Sequence, residues 1–391
     1  MKRLLAMIGE CSNGVDYVRF NQPFRHLHAM GYELVTLGER LTLEAGPRGY
    51  RPSEALFEGV DGVIFPQMIV SPTLEDGSTL DLAGAVCEHA TANGLTIIYS
   101  ADDYLPGIEA HNPGFEKINE SIGNIRKILD HADAAFVTTP VLRDALSSSG
   151  VATHVLPNAV DPQRWNARKR QSPNPRIGWA GSSSHMEDLL MVFPAIQELQ
   201  TRIEFVFVLF GLVERPLDVE LAEAKALMPS LHGSRRERAE MFIELAHRLG
   251  EIEYAHVPFV DIDTYFEVLP ELDLDIGICP LLDTEFNRHK SALKFYEYAM
   301  CDTLTVASAV PAYQDEVSIT VPNHSHDWVS TLEALVRLPN ERDRELAQQR
   351  RFVLEERTIQ SIRHDWADAL EAALQADRRE IPVTQENGGN R

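Results

Sequence analysis

The feature that most constrains this chain is a rhythm repeated along it: a short apolar run ending in Gly, Asp or Ser, then a longer amphipathic stretch. Short, continuously apolar runs suit strands buried on both faces, and helical periodicity between them marks β-α units, so the pattern points to parallel sheets covered by helices. Strands are expected at residues 3–8, 32–37, 62–65, 95–100, 134–137 and 153–156, with helices such as 20–30 and 80–93 between most of them. The rhythm then breaks. Residues 157–161 have the composition of a turn, and 167–175 (ARKRQSPNP) is polar, basic and proline-containing, the chemistry of a linker. Strands restart at 176–180, 203–210, 254–257, 274–279 and 303–307, with a charged helical stretch at 217–249. A final helix is expected at 341–376, before a polar tail at 377–391. At roughly 100 to 200 residues per domain, 391 residues favour two domains. Two such domains in tandem place a cleft between the carboxyl ends of two sheets, where folds of this kind bind ligands.

Composition excludes several classes of partner. Hydrophobic residues at 44% and charged residues at 24% are ordinary for a folded chain. The 59 acidic against 36 basic residues give a formal charge of −23, which repels a polyphosphate backbone and disfavours nucleic acid as a general partner. The longest apolar run, 205–213, is far short of the ~20 residues that span a bilayer. The start of the chain reaches Gly9 and Glu10 too soon for a secretory h-region, so a cytoplasmic protein is expected. Cys11, Cys87, Cys279 and Cys301 stand far apart, which suggests neither a disulfide framework nor a thiolate metal site.

Four segments carry candidate chemistry. In 283–300 (DTEFNRHKSALKFYEYAM), Arg288, His289 and Lys290 stand where a loop meets a helix start, followed by Ser291, Lys294 and Glu297. Free amides, the helix dipole and two or three cations make an anion site suited to a diphosphate, with Glu297 one turn deeper to accept from ribose hydroxyls. The plainer alternative is a solvated helix on which Lys294 and Glu297 simply pair. In 176–190 (RIGWAGSSSHMEDLL), Gly181 and the serines after it let a phosphate approach backbone amides, although neither a Walker loop nor GxGxxG is present. Alternatively, Ser184 is an N-cap and Glu187 closes a capping box. At 96–103 a buried strand ends in Asp102 and Asp103, placed to orient a sugar hydroxyl, act as a base or hold a divalent metal, or else to be solvated turn carboxylates. His111, in the loop that follows, is a lone histidine of the structural kind. After the first strand, Gly9, Ser12, Asn13 and Gly14 form a loop able to wrap a substrate, with Arg19 near the next helix start; a structural glycine turn plus a surface arginine is the other reading.

In order, IGWAGSSSH, LDIGICPL and FNRHKSALKFYEYAMCDTLTVAS, with VLPNAVDPQRW before them, resemble the group-1 family of nucleotide-sugar glycosyltransferases with GT-B architecture. The resemblance covers roughly residues 1–370 and is strongest at 155–308. It implies an α/β chain of two tandem Rossmann-like domains whose parallel sheets face a central cleft. Residues 1–166 would bind the acceptor and 167–365 the donor, with 366–391 as the helix end and tail. Donor binding falls to Gly181, Ser182, Ser183, His185, His289, Ser291, Ala292, Leu293, Lys294 and Glu297. Glu297 matches the second of the family's two glutamates, whereas His289 stands in place of the first, which leaves the donor sugar open. Asp102, at a position where many members carry histidine, is expected to contact the reacting sugar, with Arg288 and Lys290 supplying charge to the departing diphosphate. Asn13, Gly14, Arg19 and Asp103 are the acceptor-side candidates. The family implies retention of anomeric configuration, a nucleoside diphosphate sugar as co-substrate and no obligatory metal. The acceptor is a glycan, a small molecule or, as in some phage enzymes, a modified DNA base, for which residues 168–170 and 235–238 offer a local basic track. A non-catalytic sugar-nucleotide-binding protein and an epimerase of the same architecture are the alternatives.

Overall fold

The computed structural model describes residues 1–9, 13–38, 43–46, 49–74, 77–165 and 174–376. Most of the expected linker, the boundary at 166/167, the tail 377–391, and Glu10, Cys11 and Ser12 lie outside the described residues.

The strands are β1 (Lys2–Ala6), β2 (Tyr32–Thr36), β3 (Leu43–Gly46), β4 (Gly49–Pro52), β5 (Gly62–Phe65), β6 (Thr96–Ala101), β7 (Ala134–Val137) and β8 (Ala152–Val155) in the first half. The second half adds β9 (Arg176–Ala180), β10 (Val206–Phe210), β11 (Tyr254–Val257), β12 (Ile276–Cys279), β13 (Leu304–Ser308) and β14 (Thr320–Val321). They form two six-stranded sheets, β2-β1-β5-β6-β7-β8 and β11-β10-β9-β12-β13-β14, with β3 and β4 as a separate antiparallel pair. Every pairing within the large sheets is parallel. The continuous apolar runs have the expected cause, since β5, β7, β12 and β13 are buried along their whole length and each sheet has a core on both faces. Each expected strand is present, with ends displaced by a few residues at most; the β3–β4 pair and β14 had no clear signal.

Two expected helices are each divided. The 217–249 stretch becomes Leu217–Leu227 and Gly233–Leu249, separated where Pro229 lacks an amide donor and Gly233 takes φ +55°. The 341–376 stretch becomes Pro339–Glu356 and Ile359–Gln375, because Thr358 and Ser361 form a capping box that starts a new helix. This second break has a structural consequence. At the turn, Val160 N–H donates to Arg357 O (2.9 Å) and Ile359 N–H donates to Val160 O (2.9 Å). The last helix then packs Trp366, Leu370 and their neighbours on the first sheet, against Leu4, Ile64 and Phe136. Residues 359–375 therefore cover the first sheet although they follow the second in sequence. Among the described residues, no helix is long and apolar enough to cross a membrane.

Candidate functional site in the interdomain cleft

A cavity of about 990 Å³ lies between the carboxyl ends of the two sheets. The first domain contributes residues following β1, β5 and β6, and the second contributes those following β9, β10 and β11 together with Leu293, Lys294 and Glu297.

On the second domain, the turn after β9 is held open by two glycines. Gly181 N–H donates to Phe210 O (3.0 Å), a Cβ on Gly181 would lie 2.4 Å from the Trp179 ring, and one on Gly211 (φ +86°) would lie 2.8 Å from Gly181 O. Only glycine permits this approach of two strand ends. Gly181, Ser182 and His185 line the cavity, and Ser183 opens a short 3₁₀ turn without lining it. The Ser184–Glu187 capping box does not form. Ser184 Oγ instead meets Ser182 Oγ (2.7 Å), and Glu187 pairs with His111 Nε2 (2.8 Å), so His111 ties the two domains together. His185 Nδ1–H donates to Asp188 Oδ2 (2.8 Å), and the buried Asp188 also accepts from Leu282 N–H (2.7 Å) and Asn287 Nδ2 (3.3 Å). The carboxylate thus orients the imidazole and leaves Nε2 for the cavity.

The helix Leu293–Met300 is fixed from below. Tyr298 lies over Gly277 of β12, and its hydroxyl accepts from Ala180 N–H (2.8 Å). A Cβ on Gly277 would fall 2.5 Å from the Tyr298 ring. Gly277→Val should therefore cost about 1–3 kcal/mol by overpacking and displace the helix, read as a lower midpoint in urea; an unchanged midpoint would show that the contact relaxes freely. On the cavity side, Lys294 and Glu297 do pair (3.3 Å), but not as a solvated couple, since Glu297 is only 8% exposed. Glu297 Oε2 also accepts from Tyr265 Oη (2.7 Å). Tyr265 stacks on Phe210 with centroids 5.6 Å apart.

The basic cluster falls largely in a seam beside the cavity. Arg288, expected to meet the departing diphosphate, is exposed and engages Asp283 through Nε (2.6 Å) and Nη2 (2.9 Å). Lys290 bridges the domains to Asp103 Oδ1 (3.1 Å), with its ammonium over the Phe286 ring. His289 stacks on Tyr104 at 4.5 Å and its carbonyl accepts from Thr139 Oγ1 (3.1 Å). Ser291 Oγ accepts from Asn158 Nδ2 (2.9 Å), and Ala292 is buried. None of Arg288, His289, Lys290, Ser291 and Ala292 lines the cavity.

On the first domain, the amides of Asp102 and Asp103 both donate to Gln67 Oε1 (3.3 and 3.0 Å), and the buried Asp102 Oδ1 has no hydrogen-bond partner among the described residues. Burial, then the neighbouring Asp103 carboxylate, push the Asp102 carboxyl up to about 7, against the opposing pull of Arg19 and Lys290. Asn13 and Gly14 line the cavity, where Asn13 caps the helical run that follows by accepting from Asp16 N–H (2.9 Å). Arg19 does not reach the cavity as expected of an acceptor ligand. It is 1% exposed and donates to Leu156 O (2.7 Å), Asn158 Oδ1 (3.3 Å) and Phe136 O (3.4 Å), because the helix turns it down onto the ends of β7 and β8.

Sequence reasoning did not single out Gln67, Tyr265, Phe259 or Gly211, all of which line the cavity. The last three follow β10 and β11, so the strand-end rule alone could have drawn attention to them. Residues 168–170 of the basic track lie outside the described residues, and Arg235 and Arg236 are paired with Glu116 and Glu240. Among the described residues, no group of three or more His, Cys, Asp or Glu is arranged to hold a metal ion.

No protein-family profile matches the chain, and no curated protein matches it by sequence. Solved structures do match across nearly its whole length. Anabaena Alr3699/HepE in complex with UDP and glucose has a TM-score of 0.61 at 10% identity, covering 95% of this chain and 100% of that one. A glycosyltransferase from Rickettsia africae ESF-5 gives 0.58 at 12% identity, with 96% and 99% covered. An alpha-glucosyltransferase in complex with UDP and a 13-mer DNA containing an HMU base gives 0.60 at 11% identity, with 95% and 99% covered. With its two six-stranded parallel sheets facing one cleft, the chain has the GT-B fold of these glycosyltransferases.

Proposed function

We propose that the protein is a glycosyltransferase of the group-1 type, which moves a sugar from a UDP-linked donor to an acceptor hydroxyl with retention of anomeric configuration. The observation that carries this reading is the convergence, in one cavity, of the open Gly181 turn, the start of the Leu293–Met300 helix with Lys294 and Glu297, and Asp102 on the facing wall. Amides at the turn and helix start, with Lys294 and His185, receive the diphosphate, where negative charge develops as the sugar leaves. Glu297 accepts from the ribose hydroxyls. Asp102, which lines the facing wall, accepts from a hydroxyl of the reacting sugar or acceptor. Arg288 has no part in this arrangement, since its guanidinium is held at the surface by Asp283. Lys290 and its neighbours close the domains on each other and exclude water that would otherwise hydrolyse the donor. The charge of −23 and the paired Arg235 and Arg236 favour a glycan or small-molecule acceptor over DNA.

The test is a thermal-shift panel of UDP-, GDP-, ADP- and CDP-linked sugars, with and without magnesium. A ligand at a hundred times its Kd adds about 2.7 kcal/mol to the native state. A selective rise with a UDP-sugar, unchanged by magnesium, is expected; a folded protein that responds to none of them contradicts the reading. The anomeric configuration of the product, read by proton NMR, tests retention. Salt-sensitive binding of duplex DNA would instead favour a DNA acceptor.

A further inference from the structure

We infer that Tyr265 is a positioning residue that makes the nucleotide site select ribonucleotides over 2′-deoxyribonucleotides, by fixing one oxygen of Glu297 and leaving the other for a vicinal diol. The inference rests on the donor site proposed above and adds to it a residue outside the sequence motifs.

A carboxylate as buried as Glu297 needs hydrogen-bond partners. Among the described residues it has two, and both fall on Oε2: Tyr265 Oη at 2.7 Å and Lys294 Nζ at 3.3 Å. Proton inventory sets the directions. A carboxylate only accepts and an ammonium only donates, so the phenol gives its proton to Glu297 and accepts from Lys294 Nζ at 3.2 Å. Burial and the adjacent carboxylate hold the phenol well above its usual range, so it remains a donor throughout the physiological range. The ring itself has little freedom, because it lies nearly parallel to Phe210 at 14° and meets Trp165 edge-on. The carboxylate plane is thereby fixed, and Oε1, with two acceptor sites, is left for a ligand in the cavity that Glu297 lines. Two adjacent hydroxyls can both donate to such an oxygen, and a 2′-deoxyribose can make only one of these bonds. Loss of one charge-assisted bond corresponds to about tenfold or more in affinity.

Isothermal titration with UDP and 2′-deoxy-UDP, on wild type and Tyr265→Phe, tests this. The phenylalanine keeps the ring stack and removes only the hydroxyl. Wild type should prefer UDP by about tenfold or more; Tyr265→Phe should bring the two ligands within about threefold, with KM for the UDP-sugar raised and kcat nearly unchanged. A variant that keeps the wild-type ratio overturns the inference and leaves the donor site standing. Equal binding of both ligands by wild type also overturns it. Failure of wild type to bind UDP at all overturns the proposed function and the inference together. If Tyr265→Phe does not fold, Phe210→Leu, which removes the ring stacked on Tyr265, should lower the ratio by the same mechanism, and an unaltered ratio there counts against it.

Discussion

Asp102→Asn should lower sugar transfer by about 10²-fold or more and, at the same time, make the protein more stable above pH 7. The two effects have one origin. The folded protein holds the Asp102 carboxyl at about 7, above the ~3.9 of an unfolded chain, because burial and Asp103 disfavour its charge. The native state therefore keeps the proton more tightly than the unfolded state. The contribution of Asp102 to stability declines as pH rises from about 4 to about 7 and stays at the lower level above that. Asparagine is neutral throughout, so the variant escapes the decline. Its advantage should be absent near pH 4 and reach about 2–4 kcal/mol at pH 8. Urea melts of both proteins at pH 4 and pH 8 measure it. For catalysis, the ionised carboxylate is the form that accepts a hydroxyl proton or faces developing positive charge. Wild-type kcat/KM should therefore rise with pH through an inflection near 7, which the variant lacks. Wild-type turnover by Asp102→Asn would remove Asp102 from the mechanism, and no gain in stability at pH 8 would show that burial does not raise its carboxyl. A carboxylate kept at a cost in stability is the signature of a group retained for its function.

Arg19→Met should destabilise the protein by about 1–3 kcal/mol, the cost of leaving its buried carbonyl acceptors unpaired, lowering its melting temperature by roughly 5 °C. Arg19 is a buried cation without a carboxylate in contact among the described residues, and its charge is met by carbonyls instead. Its guanidinium joins the ends of β7 and β8 and Asn158, and lies over the ring of Trp366 at 5.1 Å. It thus links the first sheet to the returning terminal helix. Methionine leaves Leu156 O and Phe136 O without this partner and removes the cation that lowers the Asp102 carboxyl. The variant should therefore also move the inflection in kcat/KM above the wild-type value. Lysine should restore only part of the loss, because an ammonium cannot span three acceptors as a planar fork does. A loss below about 1 kcal/mol in calorimetry would show that the site is hydrated or repacks, so that Arg19 does not hold the ends of β7 and β8 together.

Much of this protein was legible in its sequence for a local reason. Strands buried on both faces must be apolar throughout, and that requirement marked β5, β7, β12 and β13, while the partly buried β2, β8 and β11 were marked by their place in the repeated β-α rhythm. The glycine turn at Gly181 and the Lys294–Glu297 spacing were also legible, since close backbone approach and helical periodicity are properties of neighbouring residues. Charge was legible as a quantity but not as a direction. Arg288 and Lys290 look alike in the sequence as parts of one basic cluster, yet Arg288 is neutralised by Asp283 at the surface and Lys290 by Asp103 from the other domain. Tyr265 gave no local sign of a role, because its hydroxyl acquires one only when the helix Ile262–Glu271 is packed beside the helix Leu293–Met300. The return of the last helix to the first sheet was equally hidden, since an amphipathic helix does not encode which apolar surface it will cover. The sequence by itself thus determined the strands, the turns and the charges available. Only the tertiary structure decided which charges meet, because pairing and burial depend on residues brought together from distant parts of the chain.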